Sequence, residues 1–120
     1  MKKPERDIWT VENLNEQVDD EFDELPKDIQ AKFLHLAALI EDVGLPSLKE
    51  PYIKHIQEKI WELRVKATSG FGRGLYCTVK EKRVVVLRYF QKTTAKTPKK
   101  EIAIALQRMK TMLEQSEKEE

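Results

Sequence analysis

A chain of 120 residues, 40% hydrophobic and 36% charged, carries enough apolar material for one core, burying about two-thirds of the surface its unfolded form would expose. No run approaches the roughly eighteen apolar residues of a membrane span, and Met1 to Asp7 lead into acidic sequence, so they do not read as a signal peptide. The lone Cys77 excludes an internal disulfide and a cysteine-rich zinc site, and a single domain over residues 1–120, cytoplasmic and without membrane contact, is expected.

The formal charge of +1 conceals a division. Residues 1–58 hold 7 Lys/Arg against 14 Asp/Glu, and residues 59–113 hold 14 against 3. The tail from Glu114 is acidic again, with 1 against 4. Either the second stretch, at +11, faces a polyanion, or folding intermixes the charges and no patch survives.

In chain order, Asp7–Val11 alternates weakly and reads as a short strand. Asn13 or Asn15 can cap a helix with Leu14, Val18, Phe22 and Leu25 on one face, which Pro26 interrupts. From Lys27 to Val43 the stripe Ile29, Phe33, Leu36, Ile40 and Val43 predicts a second helix, stopped by Gly44. The two form a helical hairpin. Residues 45–52, with two prolines and no period, read as a connector. Residues 60–65, 74–79 and 83–90 are then three short runs rich in branched and aromatic residues, the pattern of an antiparallel meander. Thr97-Pro98 opens a last helix with Ile102, Leu106, Met109 and Leu113 on one face, and residues 115–120 read as a frayed tail. The order is that of an α+β domain.

Little points to histidine, thiol or nucleotide-loop chemistry. His35 and His55 lie in the acidic half, and His35 sits among apolar neighbours of a helix. Cys77 reads as a buried strand residue between Leu75 and Val79. The glycines of 69–74 lie between strands and not before a helix, so they make no phosphate loop. No metal and no other cofactor is called for. What remains is a basic set, Arg64, Arg73, Arg88, Lys92 and Lys96, interleaved with Trp61, Phe71, Tyr76, Tyr89 and Phe90. Cations bind phosphates and aromatics stack on bases, which suits single-stranded nucleic acid. Trp61, Phe71 and Phe90 each read more readily as core than as stacking platforms. Lys99 and Lys100 stand at the positive end of the last helix dipole, an arrangement that a nearby anion would relieve.

Trp61-Glu62-Leu63-Arg64, Arg73, Phe90, Lys92, Lys96-Thr97-Pro98 and Glu101-Ile102 with Ala105 and Arg108 form a pattern across residues 52–112. It resembles the HigB-like, phage-derived branch of the RelE toxin superfamily. The resemblance implies a RelE-like α+β fold, with the N-terminal helical hairpin packed on a small antiparallel sheet and a C-terminal helix. It implies the toxin of a type II toxin–antitoxin system, a metal-independent endoribonuclease that cleaves mRNA on the ribosome and is silenced by an antitoxin, commonly a helix-turn-helix protein. Catalytic roles would fall to Arg64, Arg73, Lys92, Lys96, Tyr76 and Tyr89, and RNA binding to Arg88, Lys99 and Lys100. A non-catalytic relative that binds RNA or a protein through the same basic sheet is the second reading. In either case the helices are expected on one side of the sheet, with Arg64, Arg73 and Lys92 converging on the other side or at its edge. Alternation puts Arg73 in phase with Leu75, Cys77 and Val79, which calls for a marginal position or a bulge.

Overall fold

The computed structural model describes residues 8–92 and 96–119. In chain order the elements are β1 (Thr10–Asn13), α1 (Glu16–Asp23), α2 (Lys27–Val43), a 3-10 turn (Leu45–Ser47), β2 (Ile53–Gln57), β3 (Ile60–Ala67), β4 (Gly70–Val79), β5 (Arg83–Lys92) and α3 (Lys99–Glu119). The strands form one sheet in the order β1-β5-β4-β3-β2. β2 to β5 make the expected antiparallel meander, extended by a strand that the connector reading did not reach. β1 pairs with β5 in parallel, Thr10 opposite Arg83 through Asn13 opposite Val86, so the sheet is mixed.

Local chemistry accounts for the ends. Asn15 caps α1, its side chain accepting the Val18 N–H at 3.1 Å. Gly44 stops α2 at φ 87, in the left-handed region that side chains avoid. The Pro98 carbonyl accepts the N–H groups of Glu101 and Ile102 at 3.0 and 3.3 Å, fixing the start of α3 next to Thr97. α3 then continues to Glu119, through the segment expected to fray. Of the expected first strand, Val11 and Thr10 lie in β1, and Asp7 lies outside the described residues.

Helices cover both faces, which corrects the one-sided expectation. On one face Leu63, Val65, Tyr76, Val84, Val86 and Tyr89 pack with Val18 of α1 and with Ile29, Phe33, Leu36 and Ile40 of α2. On the other, Ile60, Leu75, Cys77, Val85, Leu87 and Phe90 pack with Ala105 and Met109 of α3. α2 lies very close to β4. A Cβ on Gly72 would stand 2.5 Å from Ile29 Cγ2 and 2.8 Å from Phe33 Cε2, so the glycine is what lets helix and strand meet.

The bulge falls on β5 and not beside Arg73. Leu75 pairs with Arg88 and Tyr76 with Val86, leaving Leu87 as the extra residue. Leu87 and Arg88 therefore both turn toward α3. Arg73 stays in phase with Leu75 and Cys77. No conflict arises, because α3 covers the Leu75–Cys77 end of that face and Arg73 lies beyond it, among charged groups.

β1 ends at Asn13, and side chains take over the exposed edge of β5 beyond it. The Tyr89 N–H donates to Glu21 of α1 at 3.3 Å, and Arg108 of α3 donates to the Leu87 carbonyl at 2.7 Å. Arg108 also pairs with Glu21 at 2.7 Å. On the outer side of β1, the Val11 N–H donates to Glu41 of α2 at 3.4 Å.

Candidate nucleic-acid interface

The site grows from β3. Alternation sends Leu63 and Val65 toward α2 and turns Glu62 and Arg64 to the α3 side, where β4 contributes Arg73 and β5 contributes Lys92. Glu62 is fully buried, and cations gather round it. Its Oε1 lies 3.3 Å from Arg64 Nε and 3.4 Å from Arg73 Nε. These contacts are held by charge, since neither guanidinium Nε finds an aligned hydrogen-bond acceptor. Glu62 Oε2 accepts a 2.6 Å hydrogen bond from the Thr97 hydroxyl, which in turn accepts from Lys92 Nζ at 3.5 Å. Thr97 is held beside the start of α3, so the helix end, three strands and one carboxylate converge.

Electrostatics follow from that crowding. Burial lowers the Arg73 pKa from its ordinary value, with Glu62 opposing the shift and Arg64 adding to it. Burial likewise holds the Lys92 ammonium below the usual lysine range; Glu62 pulls it back up, while Arg73, Arg64 and Lys54 push it further down. Three cations against one carboxylate leave a local excess of two positive charges in a mostly buried setting.

The structure therefore brings Arg64, Arg73 and Lys92 together. Lys96 is exposed next to Thr97, and Lys99 and Lys100 are exposed in the first turn of α3. The turn residues Thr93, Thr94 and Ala95 lie outside the described residues. Arg88 is placed elsewhere, toward α3, where it pairs with Glu21 at 2.8 Å and with Glu101 at 3.3 Å. Those two carboxylates offset the cost of burial and raise its pKa, so Arg88 ties α1, β5 and α3 together.

Neither tyrosine reaches the cluster. Tyr76 is buried on the α1–α2 face, and burial drives its pKa upward. Tyr89 packs edge-on against Phe22 and Phe33, both at 5.1 Å, and its hydroxyl donates to Asn13 at 2.8 Å. Its pKa is raised by burial and by the charge of Asp19. Both hydroxyls therefore lie on the face opposite the cluster, apart from the cations they were expected to join. Cys77 is buried and its thiol is pushed up to about 11 by burial, which is opposed by Lys59, as suits a packing residue.

Two participants escaped the sequence reading. In sequence Glu62 is one residue of a strand motif, and its signal is its phase with Ile60, between apolar neighbours and in front of Arg64. Thr97, next to the start of α3, also links Lys92 to Glu62. Of the aromatics, Phe90 is core, but Trp61 and Phe71 are exposed. Phe71 stands beside the cluster, with Lys66 Nζ 5.6 Å and Arg73 Cζ 5.5 Å from its ring centroid.

Sheet and helices together make an α+β domain of RelE-like fold. Residues 20–110 match the family described as Phage derived protein Gp49-like, and the chain belongs to that family. Among solved structures it is similar to an arginine-to-alanine double mutant of the E. coli toxin RelE in the free state, at 16% identity and a TM-score of 0.57 over 84% of this chain and 97% of that one. It is also similar to the archaeal RelE–RelB complex from Pyrococcus horikoshii OT3, at 22% identity and a TM-score of 0.54 over 73% of this chain and 99% of that one. At these identities the likeness is one of fold. No curated protein matches the chain. Among the described residues, no helix is long and apolar enough to cross a membrane.

Proposed function

We propose that the protein is the toxin of a type II toxin–antitoxin pair, an endoribonuclease that cleaves mRNA on the ribosome in the cytoplasm without a metal. The observation that carries the reading is the cluster of Arg64, Arg73 and Lys92 round the single carboxylate of Glu62, which leaves positive charge to be met by a phosphate. Membership of the Gp49-like family and likeness to RelE toxins support it, and the RelE–RelB complex supports a cognate antitoxin, for which a helix-turn-helix protein is the expected class.

Cleavage proceeds by attack of a ribose 2′-oxygen on the adjacent phosphorus. The hydroxyl gives up its proton to solvent, the new O–P bond forms, the bond to the 5′-oxygen breaks, and that oxygen takes a proton. Arg73 and Arg64 stabilise the charge that builds on the phosphoryl oxygens. Lys92, whose ammonium is made more acidic by burial and by the arginines, donates the proton to the leaving oxygen. Lys96 stands on the exposed side of Thr97, and Lys99 and Lys100 hold flanking phosphates. A set with no histidine at its centre is a modest catalyst, and the ribosome supplies the missing factor by holding the mRNA in a reactive geometry.

The competing reading, a non-catalytic relative that binds RNA or a protein, draws on the burial of both tyrosines away from the cluster. Purified protein on programmed ribosomes separates the two. Cleavage by the parental chain, slowed about 10²–10³-fold by Arg73→Ala, is expected, the scale of one lost transition-state donor. Intact mRNA would refute the nuclease reading, and equal cutting by both proteins would remove Arg73 from the site.

A further inference from the structure

Beyond the cluster, a cleft of about 610 Å³ opens along β3, past the point where β2 stops pairing with it. Arg64 and Arg73 form its inner end, so it is continuous with the proposed site. Its floor includes the apolar side chains of Leu36, Leu39, Pro51 and Val65. Lys32, His35 and Lys66 also line it, and among the described residues no carboxylate does. Two aromatics are open to solvent there, Tyr52 at 51% and Phe71 at 42% exposure.

We propose that this cleft is a nucleobase subsite, taking the base of a nucleotide next to the cleaved phosphate. The volume falls within the range of ligand pockets, roughly 300–1,000 Å³. The lining combines what a nucleotide presents: an apolar, aromatic surface for the base and cations for the phosphates on either side. Phe71 is the central element. It projects on the same face as Arg73, two residues away on β4, and the Arg73 guanidinium already lies near its ring. A phosphate held by Arg73 thereby brings the adjoining base within reach of the Phe71 ring, with Lys66 placed to meet the next phosphate. The exposed ring of Tyr52, whose carbonyl is fixed by the Arg64 N–H at 2.9 Å, gives the cleft a second stacking surface.

An acidic protein segment would also find the cations attractive. It gives no account of two open aromatic rings set beside the phosphate-facing arginines, so RNA is the occupant the geometry favours.

This inference rests on the nuclease reading, and its test keeps the two apart. Single-turnover cleavage on programmed ribosomes is measured for the parental protein, Phe71→Ala and Tyr52→Ala, with an abasic residue placed at each nucleotide flanking the cut in turn. Both side chains are exposed, and a thermal melt confirms that the variants fold. At one position the abasic residue should slow the parental protein about 5- to 100-fold, the worth of one stacked base. There it should slow Phe71→Ala less than about twofold, because the partner ring is already gone. Any effect of the lesion on the ribosome cancels in the comparison. If the abasic cost is the same for all three proteins at every position, the cleft holds no base and the inference falls while the nuclease reading stands. If the parental protein does not cleave, both fall together.

Discussion

Replacing Glu62 by Gln keeps the shape of the side chain and an acceptor for Thr97, and removes the charge that holds the cluster. Glu62 Oε1 is 3.3 and 3.4 Å from two guanidinium nitrogens. At an effective dielectric constant of about 20, each such pair represents about 4–5 kcal/mol of direct attraction. Desolvation offsets much of it, and removing one partner of a buried pair costs about 3–5 kcal/mol, because the remaining charge is left uncompensated. The lower end applies here, since the Arg64 side chain retains 22% exposure and can turn toward water. A loss of about 3 kcal/mol is therefore expected, read as a lower urea midpoint at constant slope and a fall in Tm of about 10 °C for a domain of this size. Sulfate should return part of that loss by filling the vacated charge. The same change removes the one neighbour that raises the Lys92 pKa while burial, Arg73, Arg64 and Lys54 lower it. The lysine must then deprotonate at lower pH, and the alkaline limb of the cleavage rate should move in that direction. A Glu62→Gln protein as stable as the parent, within about 0.5 kcal/mol, would show that the cations do not depend on this carboxylate.

Tyr89→Phe should cost about 1 kcal/mol, the value of one hydrogen bond, here that to Asn13; Tyr76→Phe and Tyr89→Phe should both cut mRNA at the parental rate, and a hundredfold loss in either would return the hydroxyls to the chemistry. Glu21 is raised by burial but lowered more by Arg108 and Arg88, so its pKa stands below the usual 4.5. It therefore contributes stability that is present above pH 4.5 and is lost as pH falls through the folded value. Glu21→Gln should flatten denaturant midpoints measured from pH 3 to 7 in that window, and an unchanged acid profile would assign the acid sensitivity to other carboxylates. Gly72→Ala should destabilise by about 1–3 kcal/mol through overpacking, since its Cβ would fall 2.5 Å from Ile29 Cγ2; calorimetry showing no loss would mean that α2 yields easily.

How much of this was legible depends on how local each determinant is. The α2 stripe of Ile29, Phe33, Leu36 and Ile40 and the Thr97-Pro98 helix start are written in neighbouring residues, and both emerge as read. β2 was not legible. Ile53–Gln57 is an edge strand mostly exposed along its length, so it lacks the run of branched residues that marks β4 and β5. The start of β4 at Gly70 was hidden for a different reason. Its glycines look like a loop, but both Gly72 and Gly74 are strand positions: at Gly72 Ile29 and Phe33 press too closely for a Cβ, and at Gly74 a Cβ would meet the Tyr89 ring at 3.3 Å. In the candidate site, strand phase puts Glu62 on the same face as Arg64, but the pairing partners of Arg73 and Arg88 are not local. What separates them is remote in sequence: Glu21 and Glu101 claim Arg88, while Glu62 gathers Arg73. Tyr76 and Tyr89 turn to the face that α1 and α2 cover, and which helix covers a face is set by residues remote from either tyrosine.

The side chains that finish the β5 edge also set the terms on which another chain can approach. Backbone pairing is the cheapest way for two proteins to join sheets, and it needs a row of vacant amides and carbonyls. Here Glu21 holds the Tyr89 amide, Arg108 holds the Leu87 carbonyl and Glu41 holds the Val11 amide. An incoming strand would have to displace charge-assisted bonds to gain neutral ones, a poor exchange. Along the described residues of the β1–β5 side an incoming strand meets these claimed groups, so a partner that lengthens the sheet is better received at β2, the opposite margin.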